Sequence, residues 1–214
     1  MLENYDDHTS ASLPPAVNYV PMIYAAQYYE PLSDAQARDS GWLASASPDY
    51  LMTFNEPDNS AAGGGSNTAT NDAIGAWPYI QALNLPLVSP ATANTFDSWM
   101  YSFYSLIATN NYRVDYTAVH QYVPPNASSL MGQLYSAYTT WGRPVWLTEF
   151  SPVDWNKTKS WSEDDDYNFL AEFMWQAEAQ DWLKRYAIFP FSGTNSAAPG
   201  WTTATPAPSS WRMA

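Results

Sequence analysis

Leu51-Met52-Thr53-Phe54-Asn55-Glu56-Pro57-Asp58 and Pro144-Val145-Trp146-Leu147-Thr148-Glu149-Phe150 are the two stretches that decide how this chain folds. Each is an apolar, β-prone run too short for a helix and bounded by turn residues, the pattern of a buried parallel strand. Each also carries a glutamate at its end. Two such strands in one sheet would present two carboxylates at the same rim.

The rest of the chain alternates between strand and helix patterns around these runs. Val17 to Tyr24 reads as a strand, with Pro21 tolerated near its end or at a bulge. Residues 33–46 have helical spacing with Trp42 and Leu43 on one face, broken by Pro48-Asp49. Gly63-Gly64-Gly65 reads as a flexible surface loop and lacks the Lys and Ser/Thr spacing of a phosphate cradle. Residues 69–83 form a weaker helix pattern, 85–90 a short strand and 96–109 an aromatic-rich helix. A strand over 114–122 ends on His120 and Tyr122, and 130–140 is helical. Ser162 opens a further helix, with Asp165 three residues on in the position of a capping box. Leu170, Phe173, Met174 and Ala177 form one stripe along it. Residues 186–191 complete the pattern as a last strand.

Sustained alternation of this kind implies an α/β fold, a parallel sheet with helices outside. A (β/α)8 barrel of the TIM type gathers polar residues from several strand ends at one face, and Glu56, His120, Tyr122 and Glu149 all stand at such ends. The strands read from the sequence fall near residues 20, 52, 87, 118, 147 and 188, about two short of the eight a barrel needs. The expectation is one domain over residues 1–214, a barrel incomplete at its N-terminus.

Composition bounds what those carboxylates can serve. Eight Lys and Arg against 21 Asp and Glu give a net charge of -13, which repels nucleic acid. Aromatic residues make up 16% of the chain, with 11 Trp and 16 Tyr, and such rings suit the flat apolar faces of sugars as well as core packing. Cysteine is absent, so there is no thiolate nucleophile, disulfide or Cys-based metal site. The two histidines, His8 and His120, lie far apart in sequence and do not form a zinc motif. The acidic run Glu163-Asp164-Asp165-Asp166 complements a helix dipole rather than calling for calcium. No metal or cofactor is implied. No stretch is apolar enough to span a membrane, and the first residues lack a signal-peptide pattern. The expectation is a soluble monomer whose export signal was removed or never present. The sequons at Asn126 and Asn156 are compatible with secretion.

Paired carboxylates at strand ends are the machinery of glycoside hydrolysis. The structural alternative is a pair of carboxylates capping the helices that follow their strands, and for His120 a hydrogen-bonded structural imidazole. Tyr24, Trp77, Trp155 and Trp161 are candidates for stacking on sugar. Trp155 and Trp161 follow the Glu149 strand in its loop, where barrel specificity resides, whereas Trp77 fits packing within a helix better.

From residue 17 to about 193 these segments resemble glycoside hydrolase family 128, β-1,3-glucanases with a (β/α)8 fold in a clan of retaining enzymes. Tyr19-Val20-Pro21-Met22 is similar to that family's third strand, and Phe54-Asn55-Glu56-Pro57-Asp58 to its fourth. His120-Gln121-Tyr122 is similar to the sixth, Trp146-Leu147-Thr148-Glu149-Phe150 to the seventh and Arg185-Tyr186-Ala187-Ile188-Phe189 to the eighth. The resemblance implies Glu56 as general acid/base, Glu149 as nucleophile and Asn55 as a partner of the sugar 2-hydroxyl. His120 and Tyr122 would orient Glu149 or tune its pKa. Two departures stand out: Gln121 occupies a position where the family usually carries Trp, and the first two strands have no counterpart upstream of Tyr19. The implied function is a secreted, retaining endo-β-1,3-glucanase acting on β-glucan. The alternatives are a β-1,4-glycanase of the same clan and a non-catalytic glucan-binding protein.

Overall fold

A computed structural model describes residues 19–26, 41, 43, 47–156 and 161–189. Its elements run α1 (Thr70–Gln81), α2 (Ser98–Thr109), β1 (Thr117–Val123), α3 (Ala127–Trp141), β2 (Val145–Pro152), α4 (Glu163–Ala177) and β3 (Leu183–Ile188). The three strands form a parallel sheet in the order β1-β2-β3. Isolated parallel bridges continue that order on the far side of β1, from Tyr116 to Val88, from Leu87 to Leu51 and from Met52 to Met22. The strand positions expected near residues 20, 52 and 87 are therefore bridges rather than full ladders. Both glutamate-bearing runs lie in parallel register within one curved array.

Local signals explain the helix starts. The Asp97 side chain accepts from the Met100 amide, and that of Asn126 from the Ser129 amide. Ser162 and Asp165 form the reciprocal capping box. Leu170, Phe173 and Ala177 of α4 are buried, as the stripe predicts. β3 begins at Leu183, earlier than the expected 186, because Leu183 already pairs with Val145. Of the helix expected over 33–46, only Gly41 and Leu43 are among the described residues, and both are helical. Residues 190–214 and 1–18 lie outside them.

Side chains alternate between two faces of the sheet. Val145 and Leu147 point into the large core shared with the helices, where Trp77, Phe103 and Phe173 are fully buried. Trp146 points the other way, into a small cluster with Val88, Ala91 and Ala118. There the Trp146 ring meets Tyr50, with centroids 5.0 Å apart. Their strand positions are separated by three inter-strand steps, about 14 Å on a flat sheet, so the contact requires the sheet to curl toward its own inner face. The Arg185 guanidinium lies over both rings, 4.9 Å from each centroid. The described residues show an α/β sheet of this curvature; a closed eight-stranded ring is not seen among them. No described helix is long and apolar enough to cross a membrane.

Candidate active site

Glu56 leaves its strand position with φ +37, a left-handed conformation that costs a non-glycine residue about 1–3 kcal/mol and persists only where its surroundings enforce it. The enforcement is visible. The Glu56 amide donates to the Ala91 carbonyl at 2.8 Å, and its own carbonyl accepts from the Asn59 amide at 2.9 Å. Beyond it, the Asp58 carboxylate accepts from the amides of Ala93 and Asn94, tying this turn to the next loop. Burial pushes the Asp58 carboxyl up, against the pull of those amides.

The glycine run 63–65, expected to be a flexible surface loop, is instead folded back onto this turn. Gly64, at φ +87, turns its carbonyl to accept from the Tyr24 hydroxyl at 2.7 Å and the Asn55 amide side chain at 3.1 Å. Gly65 packs so closely that a methyl there would sit 2.6 Å from the Glu56 carbonyl oxygen. The reason is steric: only a residue without Cβ lets the two backbone segments meet.

Glu149 is placed by the sheet. Val119 pairs with Leu147, but His120 pairs with Glu149, so Thr148 is an extra residue at that step. The same irregularity separates Leu147 from Phe150 opposite β3. Strict alternation from Leu147 would turn Glu149 toward the helices, whereas the bulge re-aims it to the inner rim and still returns Phe150 to the core.

The two carboxylates converge on His120, which is almost fully buried. Its Nδ1 lies 3.1 Å from Glu56 Oε1 and 3.5 Å from Glu149 Oε2. One ligand atom from each of the three residues lies within 4.8 Å of the others. That spacing would accommodate a cation, but each group is already engaged by its neighbours. The Tyr122 hydroxyl donates to Glu149 Oε2 at 2.5 Å, and Asn59 Nδ2 donates to Glu56 Oε2 at 3.0 Å. The hydrogen bond from His120 holds the Glu56 carboxyl below its ordinary value, with Asn59 adding to this against the opposing effect of burial. Burial, and then the bond to Glu149, push the Tyr122 phenol far above its usual range, so it remains a donor.

The remaining predicted residues fall in different places. Trp155 is 64% exposed, donates its indole N–H to the Tyr122 carbonyl and meets the Tyr122 ring edge-on at 6.1 Å. Tyr24 and Asn55 both reach Gly64, on the Glu56 side. Trp161 lies beside Asp166 of α4, and its buried indole N–H forms no complete hydrogen bond. Trp77 is fully buried, its N–H bonded to the Arg113 carbonyl. Gln121 spends its amide on Thr95. Sequence reasoning missed Asn59, whose only signal was its place three residues after Glu56, and Phe189, which meets Tyr122 edge-on at 6.2 Å.

A family model described as "Glycosyl hydrolase catalytic core" matches residues 3–202. Among curated proteins, the chain is 30% identical over 165 residues to alkali-sensitive linkage protein 1 of Schizosaccharomyces pombe, covering 71% of this chain but only 29% of that relative. Among solved structures, it is similar to a family 128 subgroup I endo-β-1,3-glucanase from Amycolatopsis mediterranei in complex with laminaripentaose. The identity is 26% and the TM-score 0.71, with 83% of this chain and 73% of that chain covered. A family 128 subgroup VII oligosaccharide-binding protein from Cryptococcus neoformans matches at 25% identity and TM-score 0.66, with 85% and 72% covered. A subgroup V exo-β-1,3-glucanase from the same organism matches at 26% and 0.67, with 84% and 67% covered. The chain belongs to the glycosyl hydrolase catalytic core family, and the solved structures it resembles include β-1,3-glucanases of glycoside hydrolase family 128.

Proposed function

We propose that this chain is a retaining endo-β-1,3-glucanase that hydrolyses β-glucan outside the cell, built on a (β/α)8-type barrel. The observation that carries the reading is the convergence of Glu56 and Glu149 on His120, with one oxygen of each carboxylate within 4.8 Å of the other. Inverting enzymes separate their carboxyls by about 6.5–9.5 Å to admit a water, and retaining ones by about 5–5.5 Å. Glu149 Oε2 is held by Tyr122, leaving Oε1 to attack the anomeric carbon. As the C1–O bond breaks, the proton on Glu56 passes to the leaving oxygen and Glu149 becomes a glycosyl ester. Water then attacks C1, gives its proton to Glu56 and releases Glu149 as carboxylate. The hydrogen bonds from His120 and Asn59 that hold the Glu56 carboxyl below its ordinary value suit its part as the base of the second half of this cycle.

The test is reducing-sugar release from β-1,3-glucan, with a β-1,4-glucan control. Release that falls by about 10³-fold or more in Glu149→Gln supports the reading; preference for the β-1,4 polymer redirects it within the clan. A second reading, non-catalytic glucan binding, is favoured by the likeness to the oligosaccharide-binding protein of C. neoformans. Retained binding of laminari-oligosaccharides without turnover would establish that reading instead.

A further inference from the structure

A cleft between α3 and α4 lies toward the opposite end of the sheet from the carboxylates: Trp182, in its wall, precedes the first residue of β3, whereas Glu149 stands in the second half of β2. It has a volume of about 420 Å³, within the range of small-ligand sites. Its rim carries two of the most exposed large aromatics among the described residues, Trp175 at 77% and Tyr135 at 52%. Its inner wall is rigid. The Trp182 ring stacks on Tyr138 at 5.6 Å and takes the edge of Tyr135 at 5.6 Å. The Trp182 N–H is bonded to Gln180 Oε1, and the Gln180 amide is itself held by the Gln176 carbonyl. Side chains fixed in this way lose little freedom on binding.

The lining includes no carboxylate, ammonium or guanidinium group among the described residues, in a chain of net charge -13. Aromatic planes and a thioether are what remain, the Gln176 amide being spent on Glu172 and that of Gln180 on Trp182 and the Gln176 carbonyl. This chemistry suits a neutral polyol with flat apolar faces, and the area is too small for an interface of about 20–30 residues a side. We infer that the cleft is a second β-glucan-binding site, which retains the polymer at a distance from the catalytic groups. The inference rests on the proposed β-glucan substrate.

The experiment is co-sedimentation with insoluble β-1,3-glucan, comparing wild type, Trp175→Ala, Tyr135→Ala and Glu149→Gln. Hydrolysis of a short soluble laminari-oligosaccharide and thermal melting are measured on the same preparations. Trp175→Ala is expected to weaken retention on the polymer about tenfold, Tyr135→Ala by less, with oligosaccharide turnover and melting unchanged. Retention independent of both rings overturns the inference and leaves the enzyme reading intact. So does a change confined to self-association in size exclusion, which would mark the cleft as a contact between copies. Trp175-dependent retention by a wild type that turns nothing over would sink the enzyme reading and leave the cleft.

Discussion

Around Glu56 the chain leaves the sheet at an isolated bridge and is held by a loop, with positive φ, a buried glycine contact, and the Asn59 amide on one carboxylate oxygen and the His120 imidazole on the other. Around Glu149 the chain stays in a continuous strand, and one bulge in a three-stranded ladder aims the side chain. The first arrangement stores strain that distant backbone must restrain; the second draws on hydrogen-bond register that the core on its outer face maintains. A loop-held Glu56 is thus exposed to changes in backbone packing, and a sheet-held Glu149 to changes in the side chains that meet its oxygens.

The sharpest way to break this contrast is Gly65→Ala. The methyl would collide with the carbonyls of Glu56 and Asn59, which are backbone and cannot rotate away. Displacing Glu56 by about an ångström is expected to cost about a hundredfold in kcat on a laminari-oligosaccharide, with the far-UV spectrum retained. Unchanged kcat would show that the loop does not hold Glu56. On the other arm, Tyr122→Phe deletes the hydrogen bond to Glu149 without touching the strand. A bond to a charged group contributes about 1.5–3 kcal/mol, so a loss of about tenfold to a hundredfold is expected, read as kcat against KM. A loss seen in KM alone would assign Tyr122 to substrate binding.

Asn59→Ala has a smaller effect with a definite sign. The Asn59 amide favours the charged form of Glu56, so removing it raises that pKa. Glu56 then stays protonated to higher pH, and the alkaline limb of the kcat/KM profile moves upward; a limb that stays put or moves down would disconnect Asn59 from the proton. The smallest expected effect lies on the Glu149 arm, in α4. Asp166 is buried with the Trp161 indole beside it, and burial pushes its carboxyl up to about 6, the indole N–H offsetting part of that. Its folded pKa exceeds the unfolded one, so the folded state binds the extra proton between about pH 4 and 6 and stability falls as pH rises through that window. Asp166→Asn is expected to stabilise by about 1–2 kcal/mol at pH 7, solvent screening taking part of the effect, and by nothing near pH 4. Melting curves at both pH values decide it, and an equal shift at each would point to packing instead.

Much of this was legible along the chain because it depends on short-range rules. The period of the α4 stripe, the Ser162–Asp165 box and the short apolar runs ending on Glu56 and Glu149 are set by residues within a few positions of one another. The glycine run was read as loose because nothing nearby in sequence announces that Tyr24, some 40 residues away, donates to it. Trp161 resembled a sugar platform by its place after β2, yet it lies against Asp166. Nothing near Trp175 in sequence marks it out, and only Tyr135, Tyr138 and Trp182 from other segments make its neighbourhood a cleft.

The sequence by itself determined the alternation of strand and helix, the family, and which runs carry the carboxylates, since periodicity and spacing are properties of neighbouring residues; it did not determine where the strands end, since β2 continues to Pro152 past Glu149 and β1 to Val123 past His120. Only the tertiary structure decided that Glu149 faces Glu56 at all. Alternation alone would turn it to the helix side, and the extra residue at Thr148 that reverses it exists only in register against β1 and β3. It likewise decided that Gly65 and Asn59 hold the strained Glu56, because close backbone approach and side-chain hydrogen bonds arise from where distant segments meet.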